Sequence, residues 1–375
     1  MSYSRPLIAA LSTVALMTGC QTSGSATAGS SSGASTARGE SNEAETDPQP
    51  RAERPEPTLR REVPDGYDPV TTLRWLDASR LAVGYRDGRI AEVDVGEQSG
   101  HVRTASSSDG RVIAVYPDLK LALLADDPGT LVRTSDGKTV LQLDEVDDIT
   151  SATFTPDGKG FFVAEPSGDL HIWKGADKLQ NLPGSSVQQF LNRQLADFVA
   201  HFSSIRGPLY TTKQKQIALG DKTGGVLWWD PSTPNEVQFV ARNPAPIQSI
   251  TAPGRHVAAV STDGSLRVAD RETESFVRWS MEARAQYVST APGWTDRFAQ
   301  VGGGKLGLRR VADGSFEWTL ALPDGDRCGL EVAPGGQHIA VCIDGELQIY
   351  GTQPPTLVAA VGRRGNSLVW ADVGE

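Results

Sequence analysis

Residues Ala252–Asp270 read APGRHVAAVSTDGSLRVAD. A Pro-Gly turn leads into an apolar strand, His256–Ser261. Asp263-Gly264 then turns the chain into an alternating strand that carries Leu266 and Val268. Glycine reaches the positive φ that tight hairpins demand, so Asp-Gly between apolar runs predicts a β-hairpin. The pattern returns at Ala333–Tyr350 as APGGQHIAVCIDGELQIY. Two copies in one chain predict a repeat architecture.

Working outward, equivalent first turns fall near Asp77, Pro117, Pro156, Pro208, Pro253, Pro292 and Pro334. The steps between them are about 40, 39, 52, 45, 39 and 42 residues. Each unit adds a second Gly turn and an alternating strand, as in YRDGRIAEVD (85–94) and EPSGDLHIWK (165–174). A fourth strand follows most units, for example Phe316–Leu320 and Leu357–Val361. Four short strands per 40–45 residues is the signature of β-propeller blades. The expected fold is therefore all-β: a propeller over residues 63–375 with seven four-stranded blades by count, and eight as the alternative. Two packed sandwiches would not explain the regular step. The arrangement resembles WD40-type and YVTN-like propellers in its turn positions and in the aromatic strand ends Trp173, Trp228, Trp229 and Tyr350. It departs from the WD40 pattern in lacking the Gly-His start, and only Trp229-Asp230 is a true Trp-Asp pair.

Three places break the period. The 52-residue step carries an insertion, Ser185–Phe202, between blades 3 and 4. There Ser186 and Gln189 form a capping box, and Val187, Phe190, Leu191 and Phe198 recur at helical spacing. A short helix is predicted; its apolar side either caps the central channel or docks a partner through Phe190, Leu191 and Phe198. Second, Cys328 and Cys342 fall in one unit. If Pro334–Gly336 is a three-residue loop, the two lie directly opposite, with Cβ atoms about 4.5–5.5 Å apart. They then form either a disulfide or two buried thiols. Third, Ser367–Asp372 resembles Thr72–Asp77. It is a surplus inner-type strand or a partner for the N-terminal end. Some strap between the ends is expected, since an open ring exposes sheet edges.

The N-terminus carries an address. Arg5 precedes a short apolar run, Leu7–Met17, which ends in Met17-Thr18-Gly19-Cys20. This resembles the bacterial lipobox, with Met where Leu is usual. The resemblance implies a signal peptide at 1–19 and a mature chain that starts at a lipidated Cys20. An ordinary signal peptide with an incidental Cys is the alternative. Residues 20–62 are Ser/Gly/Ala/Thr-rich and then Pro/Glu/Arg-rich, a composition that cannot bury a core. They predict a disordered tether with a reach of roughly 35 Å. Gln21 in place of Asp leans toward the periplasmic face of the outer membrane in a Gram-negative host.

The net charge of −10 argues against nucleic acid as a partner. The five histidines show no metal-ligand spacing. His256 and His338 share one repeat position and are read as packing residues. Gly302-Gly303-Gly304-Lys305 lacks the rest of a phosphate loop and predicts a hairpin turn. Gly29–Gly33 matches a nucleophile elbow by letter but has no flanking strand and helix. Asp144, Glu145, Asp147 and Asp148 read as a solvated turn, as does Asp324-Gly325-Asp326. No catalytic residue, metal ligand or cofactor is assigned. The expected function is a membrane-anchored envelope lipoprotein whose propeller binds envelope proteins as a scaffold or accessory subunit, and not an enzyme. Two alternatives stay open: an outer-membrane protein assembly factor, and a propeller enzyme or small-ligand sensor with its site at the channel mouth.

Overall fold

The computed structural model describes residues 68–371 apart from 105–109, 117, 126–127, 145, 147–148, 150, 155–159, 166–169, 175–208, 212–215, 221–223, 230–236, 274–276 and 283. Among the described residues there is no helix, and the strands form seven antiparallel sheets. The first holds β1 (Val70–Trp75), β2 (Arg80–Tyr85), β3 (Arg89–Asp94) and β4 (Ser99–Thr104). The second holds β5 (Arg111–Val115), β6 (Leu121–Ala125), β7 (Gly129–Arg133) and β8 (Thr139–Leu143). The third has β9 (Ser151–Phe154), β10 (Gly160–Ala164) and β11 (Leu170–Lys174). The fourth has β12 (Leu209–Thr211), β13 (Gln216–Gly220), β14 (Gly225–Trp229) and β15 (Val237–Arg242). The fifth has β16 (Ile247–Thr251), β17 (His256–Ser261), β18 (Ser265–Asp270) and β19 (Val277–Glu282). The sixth has β20 (Ala285–Ser289), β21 (Arg297–Gly302), β22 (Lys305–Arg310) and β23 (Phe316–Ala321). The seventh has β24 (Arg327–Val332), β25 (His338–Ile343), β26 (Glu346–Thr352), β27 (Pro355–Arg364) and β28 (Ser367–Ala371).

The turns follow their residues. Gly264 closes the β17–β18 hairpin at φ 82°, and Asp344-Gly345 turns β25 into β26 with both residues at positive φ. Gly303 and Gly304, at φ 59° and 73°, are the two-residue turn that pairs Gly302 with Lys305. That geometry is the hairpin type which matches strand twist. The predicted phosphate-loop look-alike is thus a turn.

Each sheet is built from consecutive strands, and among the described residues the first three sheets, and the fourth to the seventh, pack face to face in chain order. Ala82, Ile90, Val112 and Leu124 join the first to the second. Leu123, Leu131, Phe154 and Phe161 join the second to the third. Similar cores lie between the fourth and fifth, the fifth and sixth, and the sixth and seventh. The last sheet packs on the first through Ala340, Cys342 and Ile349 against Trp75, Leu81 and Val83. The result is a ring, a β-propeller.

The ring closes through side chains and a backbone hydrogen bond, with no shared strand among the described residues. Arg363, at the end of β27, is fully buried; its guanidinium meets Asp68 at 3.0 Å and Asp87 at 2.7 Å. It also lies 4.2 Å from the centre of the Tyr85 ring. The Asp68 amide donates to the Arg363 carbonyl at 3.1 Å, and the Gly365 amide donates to the Asp68 carboxylate at 3.1 Å. Ser367–Ala371 is neither an inner strand nor paired with the N-terminal end: it adds to β27 as the outer edge of the seventh sheet. Its Leu368 fills the space left by Gly100 on β4, where a Cβ would come within 2.7 Å of it.

The inner strands share a feature that the sequence did not announce. β1, β16, β20 and β24 each carry a bulge at the second residue, at Thr71, Gln248, Gln286 and Cys328, and β5 carries one at its third, Ile113. This corrects the expected cysteine register. Gly329, not Cys328, stands opposite Cys342. Cys328 is the extra residue of the bulge, and its Cα lies 5.1 Å from that of Cys342, to which it is joined as a disulfide.

Candidate functional site

The inner strands surround a channel of about 890 Å³. Hydrogen bonds between neighbouring sheets hold its wall. Thr71 donates its hydroxyl to the Val112 carbonyl, first sheet to second, at 2.5 Å. The Val288 amide donates to Ser249 Oγ at 3.0 Å, and the Val332 amide donates to Ser289 Oγ at 3.1 Å. Trp75 Nε1 donates to the Glu331 carbonyl at 3.1 Å, across the junction of last and first sheets. These bonds tie the channel lining to the ring itself, so the wall is set before any ligand arrives.

The lining carries an unexpected charge. Among the described residues it includes Arg74, Arg111, Arg255, Arg271 and Arg327 against Glu272 and Glu331, with no Asp or Lys, in a chain whose net charge is −10. Arg111 and Arg327 open their strands, while Arg74 and Glu331 occupy equivalent positions near the ends of β1 and β24, opposite Ala82 and Ala340. Arg74 approaches Glu331 only to 3.9 Å. Arg255 pairs with Asp270 at 2.9 Å and Glu272 at 3.1 Å. Arg271 lies 4.7 Å over the Trp228 ring, and burial lowers its pKa.

Burial pushes the Glu331 carboxyl up to about 7, against the opposing pull of Arg74 and the Trp75 backbone. One of its oxygens, Oε2, is buried with no hydrogen-bond partner. A carboxyl raised on folding favours the folded state at pH below its unfolded value near 4.5, and that contribution is lost as pH rises through 7. Glu331→Gln is therefore expected to stabilise the protein at pH 8 by roughly 2 kcal/mol and to change little at pH 5. Urea unfolding at the two pH values checks this; an equal effect at both would refute it.

At one mouth of the channel stands Trp294, half-buried between the channel and a second cavity of about 500 Å³. The second cavity is lined by Arg297, Gln337, His338, Thr352 and Pro354 among others. Gly336, at φ 73°, admits the Trp294 ring: a Cβ there would sit 2.1 Å from its Cζ2. Arg297 lies 5.8 Å from the ring centre. An aromatic with an arginine near its face, beside exposed Pro292 and Gly293, is the composition of a protein-contact surface.

Of the residues singled out from sequence, Cys328 lines the channel and Cys342 is buried behind it. Cys20 and the insertion residues Phe190, Leu191 and Phe198 lie outside the described residues. His256 is buried with Nε2 3.7 Å from Asp270, and His338 is 3.0 Å from the Ala78 carbonyl and stacks on Trp75, so both serve packing. Sequence reasoning passed over a buried pair in the third sheet, His171 Nε2 with Glu165 Oε1 at 2.8 Å. It also passed over the channel arginines, which are scattered over four repeats. Among the described residues no group of three or more His, Cys, Asp or Glu is placed to hold a metal, and no helix is long and apolar enough to cross a membrane.

The fold is that of WD40-repeat propellers. The crystal structure of RRP9 WD40 repeats superposes with a TM-score of 0.59 at 12% identity, over 74% of this chain and 87% of that one. The structure of U3-55K gives 0.58 at 13% identity, over 74% and 88%. No protein-family model and no curated protein sequence matches the chain.

Proposed function

We propose that this chain is a lipid-anchored envelope protein whose seven sheets are seven propeller blades, and that it binds protein partners as a scaffold or accessory subunit. The observation that carries the binding role is the channel mouth. There Trp294 stands between two cavities and Arg255 lines the channel, on a wall tied by cross-sheet hydrogen bonds. WD40-type folds present such rims to other proteins, which supports the reading. The lipobox-like Met17–Cys20 and the tether-like composition of 20–62 support anchoring at the periplasmic face of the outer membrane.

Two measurements test it. Labelled palmitate is expected on the wild-type chain and absent from Cys20→Ser; label on both variants refutes the anchor. Crosslinked envelopes are expected to give a partner set that the Trp294→Ala/Arg255→Ala chain fails to recover, although it folds. Identical recovery by both chains places the contact elsewhere and sinks the rim assignment. The channel volume of about 890 Å³ also suits a small ligand, which favours a sensor as the second reading.

A further inference from the structure

We propose that the channel is a receptor for an acidic peptide, a short run of Asp and Glu side chains held by Arg74, Arg111 and Arg327. The inference deepens the scaffold reading, because it names the chemistry of the partner segment.

The first argument is charge inversion. Among the described residues five arginines face two glutamates in the channel, while the chain as a whole is acidic. A cleft of one sign with low-dielectric walls concentrates ligands of the opposite sign. A basic peptide would be repelled there, and an apolar one would strip water from guanidinium groups without replacing it.

The second argument is unfilled donors. A guanidinium carries five N–H groups. Within the described residues the Arg74 side chain makes no hydrogen bond, and it approaches the Glu331 carboxylate only to 3.9 Å. Arg111 gives one bond, to the Ile149 carbonyl at 2.6 Å. Arg327 serves the Pro323 and Gly325 carbonyls, but its Nε is buried without a partner. Ser151 Oγ is likewise buried and unpartnered, and the residue is 5% exposed at the channel wall. The register puts Arg111 and Arg327 in one layer, as the first residues of β5 and β24, paired with Ala125 and Ile343; Ser151, paired with Ala164, falls one step further along the wall, level with Gly329 opposite Cys342. Carboxylates accept from arginine in bidentate fashion and from hydroxyls, so acidic side chains satisfy this stretch of the wall. Arg74 lies further along the wall. The cavity is much larger than one carboxylate needs, which favours a peptide over a single acid.

The test uses the full mature chain and fluorescein-labelled hexaglutamate, with hexalysine and succinate as comparators, read by anisotropy at low and moderate salt. Saturable hexaglutamate binding that weakens with salt is expected. Arg74→Gln and Arg111→Gln should each reduce affinity about tenfold. Arg133→Gln, a surface change on β7, should leave it unaltered. Melting temperatures of all variants report folding independently, and Arg111→Lys should retain part of the affinity if charge is what matters. Absence of hexaglutamate binding, equal binding of hexalysine, or an equal loss in Arg133→Gln overturns the proposal. So does competition by succinate that matches hexaglutamate at equal carboxylate concentration, which would point to a small acid. Failure here and failure of the scaffold reading are separable. Partner capture that survives both arginine changes leaves the scaffold and removes the acidic channel. Arginine-dependent hexaglutamate binding without any envelope partner does the reverse.

Discussion

Arg363→Met is expected to lower the unfolding free energy by about 3 kcal/mol, which is the largest single-residue effect argued for here. The side chain is wholly enclosed, so its charge depends on Asp68 and Asp87 for compensation. Methionine keeps much of the volume over Tyr85 and removes the charge. Asp68 and Asp87 are 34% and 32% exposed, so water can take them back, and the loss falls at the low end for a broken ion pair. The effect has a pH signature. Burial works to raise the Asp87 carboxyl, but Arg363 and Arg89 outweigh it and hold its pKa below the usual range. A depressed acid contributes stability above its unfolded pKa near 3.8, and loses it as pH falls through the folded value. The gap between wild type and Arg363→Met should thus be full at pH 7 and shrink below pH 3.5 or so. Urea titrations across that range measure it. A gap that stays constant would show that packing on Tyr85, not charge, holds the seam.

Reduction of the Cys328–Cys342 bond is expected to cost about 3 kcal/mol, because the sequence separation of 14 closes a loop of that entropy in the unfolded chain. A Cys328→Ala/Cys342→Ala chain should unfold at the same urea concentration as reduced wild type, apart from the two lost sulfur contacts. Thiol titration in denaturant on a Cys20→Ser background should find none before reductant and two after. Two free thiols before reduction would dispose of the bond.

The hairpins were legible because their determinants are local. Asp263-Gly264 and Gly303-Gly304 dictate their turns through positive φ, whatever surrounds them. The outer strands near 316–320 and 357–361 were legible from their place in the repeat, and the observed β23 and β27 cover them. The bulges were not, because Thr71, Ile113, Gln248, Gln286 and Cys328 share no side-chain property. A bulge answers to backbone fit around the ring and leaves no mark of its own in the sequence. That is why Cys328 was set opposite Cys342 when Gly329 holds that place. The loop after β24 is also longer than three residues: Val332 pairs with Ile339, and the Ala333 amide bonds to the His338 carbonyl at 2.9 Å. The channel charge was hidden for another reason. Arg74, Arg111 and Arg327 are ordinary surface residues in a one-dimensional reading, and only closure of the ring gathers them.

Closure without a shared strand has a consequence for synthesis. Every described sheet draws its strands from one continuous segment, so its hydrogen bonds can be completed once that segment has emerged. No sheet waits for a strand from the far end of the polypeptide. Vectorial delivery, N-terminus first, can therefore assemble the sheets in succession, with contacts that are short in sequence and quick to form. The docking that spans the described sheets is that of the seventh on the first, where Arg363 returns to Asp68 and Asp87 and Trp75 to Glu331.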